Sequence, residues 1–347
     1  MPPSHDLDAF DYALPPAQIA FRPARRRDDS KLLDARHSQP EITKFSRLPS
    51  LLQKGDLAVV NDSKVIPARL KAVKESGGRA EIFAERFLPD GEVLAQVRAS
   101  KPPAVGARLF AGGVFAVREK TADGFYRLRA ENRKGEAVAA RPRFLRRGET
   151  PLPPYIRRPP DADDKRRYQT VFARRPGSVA APTAGLHFTP AVLAAMAARG
   201  IGLAKITLHV GAGTFSPPRR GLSADALHSE KYRISPSAAA KINAAKKRGG
   251  RILAVGTTTL RALESAADEN GALSPAEAET DLFVKPGFPF RVADVLLTNF
   301  HLPRSSLLVL ACAFGGREKV LRVYRAAVRN GFRFYSYGDA MLLSRAQ

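Results

Sequence analysis

The chain has few of the residues and segments that mark several common protein classes. Its 347 residues include one cysteine, Cys312, and no tryptophan, so no disulfide can form within the chain and no cysteine-based zinc pattern exists. No run of about 18 apolar residues occurs, and the first residues are neither basic nor apolar, as a signal peptide would require. We therefore expect a cytoplasmic protein.

Acidic residues are also scarce. The chain has 57 Lys and Arg residues against 33 Asp and Glu, which gives a formal net charge of +24. Such a field favours a polyanionic partner, with nucleic acid the first expectation and an anionic membrane surface the second. A GC-rich genome would explain a preference for arginine over lysine, but not the excess of positive charge. The basic stretch at residues 22–33 is either a solvated loop or an arm that contacts phosphates.

Motifs of several enzyme classes are absent as well. The sequence has no GxGxxG dinucleotide fingerprint and no GxxxxGK[ST] phosphate loop. A GxSxG nucleophile elbow is also absent. No HExxH or HxH spacing occurs, and few carboxylates lie near the histidines. We therefore expect neither a serine hydrolase nor a bound metal.

Five short blocks rich in Gly, Thr or His stand out instead, and they hold four of the six histidines. Glycine lets the backbone approach a ligand closely, and Thr and His supply hydrogen bonds and proton transfer. A hydrophobic core does not explain such blocks, so we expect one composite site built from several loops. The blocks are PTAGLHF (residues 182–188), HVGAGTF (209–215), LHSEKY (227–232), VGTTTLRALES (255–265) and TNFHLP (298–303).

The order of the strand and helix signals predicts an α/β fold with an insertion. Residues 151–347 alternate between strand and helix signals, which predicts a mostly parallel sheet flanked by helices. Residues 71–150 contain short aliphatic and aromatic segments separated by turn signals, which predict an antiparallel β-barrel. We therefore expect an α/β domain formed by residues 1–70 and 151–347, with an inserted β-barrel domain at 71–150. Ligands of such sheets bind beyond the carboxyl ends of the strands, where three of the blocks lie.

Each block also has a simpler explanation. The segment GAGTF at residues 211–215 could cradle a cofactor with backbone N–H groups, or it could form a tight turn. The threonines at 257–259 could receive a carboxylate or phosphate at a helix start, or they could only cap the helix. We expect a site role for His187, His209, His228 and His301, although a histidine at a strand end can equally be held by backbone groups.

The blocks and their flanking segments, taken in chain order, are similar to those of one family. The chain resembles the S-adenosylmethionine:tRNA ribosyltransferase-isomerases of the bacterial queuosine pathway, and the resemblance covers nearly the whole sequence. It is carried by FDYALP, DLAVVNDSKVIPARL, PLPPYIRR, RYQTVFARRPGSVAAPTAGLHFT, TLHVGAGTFSP, LHSEKYRI, AVGTTTLRALES, VKPGFPFRVADVLLTNFHLPRSSLL and FRFYSYGDAML.

The resemblance implies a reaction and its partners. The family joins the ribosyl part of S-adenosylmethionine to 7-aminomethyl-7-deazaguanine at the wobble position of tRNA, releasing adenine and methionine and leaving epoxyqueuosine. It also implies an α/β domain with an inserted barrel and no required metal. We accordingly expect a tRNA anticodon stem-loop as partner, no membrane partner and a monomeric protein. Aromatic residues at 332–337 would either stack on an anticodon base or pack the last strand.

The resemblance also implies roles for the residues of the blocks. The sulfonium acidifies the neighbouring carbon, so the protein must supply a base, orientation and matching charge. The catalytic candidates are His187, His209, His228 and Glu230. The candidates for binding S-adenosylmethionine are Thr183, Gly185, Gly211, Gly213, Thr214, Gly256, Thr257, Thr258, Arg261, Asn299, His301 and Asp339. Among them, Thr257, Thr258 and Arg261 suit the methionine carboxylate.

Two other functions remain open from the sequence. An S-adenosylmethionine-dependent RNA methyltransferase would use the same cofactor and partner, but it would transfer the methyl group and not the ribose. A non-catalytic RNA-binding module would fit the charge, but it would leave the Gly/Thr/His blocks unexplained and would not bind S-adenosylmethionine.

Overall fold

The computed structural model describes residues 7–122, 124–211 and 226–346. The described strands are β1 (Lys31–Asp34), β2 (Glu41–Lys44), β3 (Leu57–Asn61), β4 (Ser63–Val65), β5 (Arg69–Lys74), β6 (Arg79–Phe87), β7 (Val93–Ala99), β8 (Arg108–Phe110), β9 (Val114–Lys120), β10 (Tyr126–Glu131), β11 (Ala137–Val138), β12 (Arg175–Ser178), β13 (Gly202–Leu208), β14 (Ala226–Ile234), β15 (Ile252–Val255), β16 (Ala276–Leu282), β17 (Val295–Asn299) and β18 (Ala340–Ser344). The described α-helices are α1 (Leu48–Leu51), α2 (Arg141–Arg147), α3 (Ala162–Arg167), α4 (Pro190–Ala198), α5 (Pro236–Lys247), α6 (Thr257–Ala266), α7 (Ser306–Gly315) and α8 (Arg317–Arg329).

The larger sheet has nine strands in the order β16-β14-β13-β3-β15-β17-β18-β1-β2. Its centre, β13-β3-β15-β17, is parallel throughout, and β18 pairs in parallel with β1. The strands β14, β16 and β2 at the edges run antiparallel to their neighbours. Every residue of β3, β15 and β17 is buried, as expected of parallel strands covered on both faces. The predicted α/β fold is confirmed.

Helices cover the two faces of this sheet, and the alternation of side chains along each strand supplies both cores. On β3, Val59 packs into a core shared with α5 to α8. Its neighbours Ala58 and Val60 pack into the opposite core with α1 and α4. None of the helices in the described ranges is both long enough and apolar enough to cross a membrane.

The second sheet is the predicted antiparallel barrel. Its strands follow the order β10-β7-β6-β5-β8-β9, and pairing of β9 with β10 closes the ring. Side chains alternate along β10: Leu128 is fully buried in the barrel core, whereas Arg127 and Arg129 are partly exposed. Phe144 of α2 packs edge-on against Phe115 of β9 inside the barrel. The strands run from Arg69 to Val138, and the domain boundaries at 71 and 150 stay a prediction.

The carboxyl ends of the central strands meet at one edge of the large sheet. Asn61, at the end of β3, donates from its amide nitrogen to the Leu208 carbonyl at the end of β13 and accepts from the Leu208 N–H. The segment before β18 reaches the same edge, because β18 runs antiparallel to β17. The described residues that directly follow β13, β15 and β17 therefore lie close together, as the sequence predicted.

Candidate functional site

A cavity of about 650 Å³ opens at this edge of the sheet. Six of the residues predicted for the site line it: Thr183, Gly256, Thr257, Thr258, Asn299 and His301. The rest of its lining consists of Tyr168, residues 180–182, Ala184, Val210, Thr298, Leu307, Tyr335 and Ser336. The cavity thus joins segments that are far apart in the sequence, as the composite-site prediction required.

The N-terminus of α6 forms one wall of the cavity. Gly256 precedes the helix with φ 92° and ψ 152°, a conformation that favours glycine, and no side chain in the described ranges caps the helix. Thr259 turns inward and donates to the Val255 carbonyl at 2.8 Å. The Thr258 hydroxyl is buried and has no hydrogen-bond partner within the described ranges. Free N–H groups and the helix dipole make this end suitable for a carboxylate.

Asn299 forms the adjoining wall, and His187 holds its amide in place. The amide nitrogen lies 3.2 Å from His187 Nε2 and 3.3 Å from the Tyr335 carbonyl. An amide nitrogen can only donate, so Nε2 accepts and the imidazole proton lies on Nδ1. Nδ1 then donates to Ser30 Oγ at 2.7 Å. The Asn299 amide oxygen is left buried, without a partner in the part of the chain that the structure describes.

His187 lies behind Asn299, in a smaller cavity of about 280 Å³ that Arg27 and Arg333 also line. Its ring stacks on Phe45 with centroids 5.0 Å apart. Burial, aided by the two arginine charges, lowers the pKa of His187 to about 3. Burial likewise lowers the pKa of His301, whose Nε2 lies 2.9 Å from the Thr298 hydroxyl, to about 3. Both rings are therefore neutral near pH 7, which suits hydrogen-bonded positioning.

Acid should destabilise the protein through His187. Its pKa is about 3 in the folded chain against an ordinary value of 6.5, so the unfolded chain takes up the proton first as the pH falls. The free energy of unfolding is therefore unaffected above pH 6.5 and falls by roughly 1.4 kcal/mol per pH unit below it. In urea titrations between about pH 7.5 and pH 5, wild type should lose roughly 2 kcal/mol more than His187→Gln. Equal losses in both chains would contradict the neutral, buried state of this ring.

The other two predicted catalytic histidines, His209 and His228, line neither of these two cavities. His209 lines a separate cleft of about 1470 Å³. Burial lowers its pKa, although the Asp62 carboxylate opposes the shift, and its Nδ1 has no partner within the described ranges. His228 packs edge-on against Phe125 of the barrel, with centroids 5.4 Å apart. Their predicted catalytic roles stay predictions.

Glu230 and Arg261 form a buried ion pair with each other. Arg261 also donates through Nε to the Leu282 carbonyl at 2.9 Å, so its guanidinium is engaged within the protein. Glu230 accepts from the Gly211 N–H at 3.1 Å. The pair thus connects α6 and β14 to the segment that follows β13. Gly213 and Thr214, which belong to that segment, lie outside the described residues.

The remaining predicted residues do not line the cavity. A Cβ added at Gly185 would lie 2.9 Å from Thr170 Cγ2, and one at Gly211 would lie 2.0 Å from Glu85 Oε1. Both glycines therefore allow close packing. The Asp339 carboxylate accepts from the backbone N–H groups of Lys31 and Arg333, and burial raises its pKa. Within the described ranges, no three His, Cys, Asp or Glu side chains are grouped as a metal site would need.

Sequence reasoning did not assign Tyr335 to the cavity. Tyr335 and Arg304 are the non-glycine residues with positive φ in the described ranges, at 77° and 57°. Such a backbone is strained for a bulky residue and often marks a functional site. The Tyr335 ring packs edge-on against the Tyr155 ring, with centroids 4.1 Å apart. The Tyr155 centroid in turn lies 6.3 Å from that of Phe21, which is 46% exposed. Phe21, Tyr155 and Tyr335 therefore form a row of neighbouring aromatic rings between the surface and the cavity.

Comparisons with known proteins agree on one family. The family model described as "Queuosine biosynthesis protein" matches residues 7–343. A protein of Anaeromyxobacter dehalogenans (strain 2CP-C), named S-adenosylmethionine:tRNA ribosyltransferase-isomerase, is 51% identical over 346 residues, with 98% of this chain and 99% of its own length covered. One of the same name from Nitrosospira multiformis is 47% identical, with the same coverage. The crystal structure of S-adenosylmethionine tRNA ribosyltransferase from Thermotoga maritima matches with a TM-score of 0.54 at 32% identity, covering 96% of this chain and 99% of that one.

Proposed function

The chain belongs to the S-adenosylmethionine:tRNA ribosyltransferase-isomerase family of queuosine biosynthesis, and from this premise we propose that the cavity between Thr258 and Asn299 holds S-adenosylmethionine. The protein is an enzyme. It transfers and isomerises the ribosyl moiety of S-adenosylmethionine onto 7-aminomethyl-7-deazaguanine at the wobble position of tRNA, giving epoxyqueuosine, adenine and methionine. We further propose that it acts as a monomer, in the cytoplasm, on the anticodon stem-loop.

The observation that carries the proposed site is a pair of buried polar atoms that have no hydrogen-bond partner in the described ranges and belong to two residues lining one cavity. Thr258 Oγ1 belongs to the N-terminus of α6, and Asn299 Oδ1 belongs to the last residue of β17. The strands β15 and β17 pair directly, so the two walls are separated by about one strand spacing, roughly 4.8 Å. The methionine carboxylate fits the helix N-terminus, and the adjacent ammonium group fits the amide oxygen. The amino-acid end of S-adenosylmethionine is thereby recognised by two adjacent walls.

Tyr335 is proposed to stack on the tRNA base that receives the ribosyl group. Tyr335 lines the cavity, and its ring lies next to the rings of Tyr155 and Phe21 in a row that reaches the surface. Flipped-out bases of single-stranded RNA are commonly held by stacking on aromatic side chains. Tyr335 combines a positive φ of 77° with partial exposure, while Phe332 and Phe334 remain fully buried.

Replacing Tyr335 should therefore weaken RNA recognition selectively. Tyr335→Ala is expected to raise the KM for tRNA roughly 10-fold or more, since stacking of one base contributes about 1–3 kcal/mol. Tyr335→Phe keeps the ring and should stay within a few-fold of wild type. Steady-state kinetics with each substrate varied in turn measures both constants. A rise in the KM for S-adenosylmethionine alone would instead assign the ring to the cofactor.

Mass spectrometry of tRNA tests the proposed function in cells. A strain that lacks this gene should accumulate 7-aminomethyl-7-deazaguanine in its tRNA, and the reintroduced wild-type chain should restore epoxyqueuosine and its products. A variant with alanine at both Thr258 and Asn299 should restore far less. Unchanged queuosine in the deletion strain would contradict the proposed function.

A further inference from the structure

A second concave surface lies next to the cavity between Thr258 and Asn299. It is formed by one face of the strands β13, β14 and β16, with β12 and the start of α2 as its wall. Its volume is about 1470 Å³. We call this surface the basic cleft; its lining consists of Arg141, Arg174, Arg175, Pro176, Thr207, His209, Lys231, Tyr232, Arg233, Glu277, Ala278 and Glu279.

Positive charge dominates the basic cleft even after its ion pairs are considered. Arg233 faces Glu277 at 3.4 Å, and Arg175 lies 3.9 Å from Asp62. Arg141, Arg174 and Lys231 are exposed and form no ion pair within 4.0 Å in the described ranges, although Lys231 is paired in register with Glu279 and its charge helps to lower the pKa of that carboxyl group. An adjoining hollow of about 860 Å³ shares Arg174, Arg175 and Arg233 with the cleft and adds Lys205 and Lys241. The result is a continuous groove in which several cations form no ion pair with any described residue.

The cleft and the cavity meet at the end of β13. His209 lines the cleft, and the next residue, Val210, lines the cavity. The Val210 N–H donates to Ser178 Oγ at 2.9 Å, which ties this junction to β12. His209 packs so closely on Gly177 that an added Cβ there would lie 2.8 Å from its ring. The ring is thereby held beside Gly177, and its Nδ1 has no hydrogen-bond partner within the described ranges.

We propose that the basic cleft binds the sugar–phosphate backbone of the tRNA substrate, next to the nucleotide whose base enters the cavity. The proposal rests on the proposed function, since that function requires one nucleotide of a long polyanion in the cavity. Several cations along one groove match the repeated charges of a nucleic-acid strand. His209 offers a hydrogen bond to a phosphate or a ribose hydroxyl at the junction. A concave groove does not suit a flat anionic membrane.

Charge removal in the cleft tests this proposal. The double variant Arg174→Gln/Lys231→Gln should raise the KM for tRNA roughly 10-fold at moderate salt and lower the salt slope of RNA binding by about one to two counterions. The KM for S-adenosylmethionine should not change, because neither side chain lines the cavity. RNA binding measured at several salt concentrations, together with steady-state kinetics, provides both values.

A matched control removes the same charge elsewhere. Arg322 and Arg325 are exposed on α8 and likewise have no ion pair within the described ranges. Arg322→Gln/Arg325→Gln should leave the KM for tRNA and the salt slope near the wild-type values. Equal losses in both double variants, or no loss in the cleft variant, would overturn the proposal. Failure of the proposed function can be distinguished from failure of the cleft proposal, because in the former case the wild-type chain itself would transfer no ribose.

Discussion

Glu230→Ala is expected to lower the free energy of unfolding by about 3–5 kcal/mol, the usual cost of leaving one member of a buried ion pair without its partner. The side chains of Glu230 and Arg261 are only 5% and 7% exposed. The substitution also removes the acceptor of the Gly211 N–H. Chemical denaturation at neutral pH measures the loss, and S-adenosylmethionine affinity should fall with it, since α6 carries both Arg261 and the proposed carboxylate site.

Two further variants separate burial of charge from mere loss of a side chain. Glu279→Ala removes a carboxylate from the neighbouring strand that is 44% exposed and pairs with Arg86, so it should cost less than about 1 kcal/mol. Glu230→Leu combined with Arg261→Met removes both buried charges and should recover much of the lost stability. A cost for Glu230→Ala no larger than that for Glu279→Ala would contradict the role of the buried pair.

Asn299→Ala should lower kcat/KM roughly 10- to 100-fold, in line with the 1–3 kcal/mol cost of an unsatisfied buried polar group. The substitution removes the amide oxygen, which is buried without a partner in the described ranges, and takes the donor away from His187 Nε2. Most of the loss should appear as a higher KM for S-adenosylmethionine, because Asn299 is proposed to receive the ammonium group. Steady-state kinetics with saturating tRNA gives the separate constants.

A double-mutant cycle with His187 tests whether this histidine acts through Asn299. His187→Ala should weaken S-adenosylmethionine binding, because the amide would lose the partner that orients it. The double variant should then be little worse than Asn299→Ala alone, since contacting residues in one hydrogen-bond network are not additive. Fully additive losses would indicate that His187 contributes independently, as a catalytic base would.

The sequence was sufficient to predict the fold because its signals are local. The apolar runs of β3, β15 and β17 predict covered parallel strands, and turn signals separate the segments that form the barrel. The position of the cavity also followed from local signals. Asn299 ends β17, His301 lies two residues beyond it, and Thr258 lies three residues beyond the end of β15. The carboxyl ends of parallel strands meet at one edge.

The orientation of individual side chains could not be predicted in the same way. Adjacent residues of a strand face opposite sides, so the composition of the 209–215 block does not distinguish His209, in the cleft, from Val210, in the cavity. The pairing of Glu230 with Arg261 joins residues 31 positions apart and has no local signal. In the aromatic run at 332–337, Phe332 packs in the core, in agreement with the packing alternative. Tyr335 lines the cavity and has a positive φ that no sequence propensity predicts, and its stacking on an anticodon base stays a prediction.

Transfer of ribose to RNA is the most direct test of the enzyme and its site. An anticodon stem-loop that carries 7-aminomethyl-7-deazaguanine is incubated with the protein and with S-adenosylmethionine labelled either in the ribose or in the methyl group. Ribose label should enter the RNA, with adenine and methionine released in equal amounts, and the Asn299→Ala variant should do this far more slowly. Methyl label in the RNA, or no label in the RNA from either substrate, would contradict the assignment.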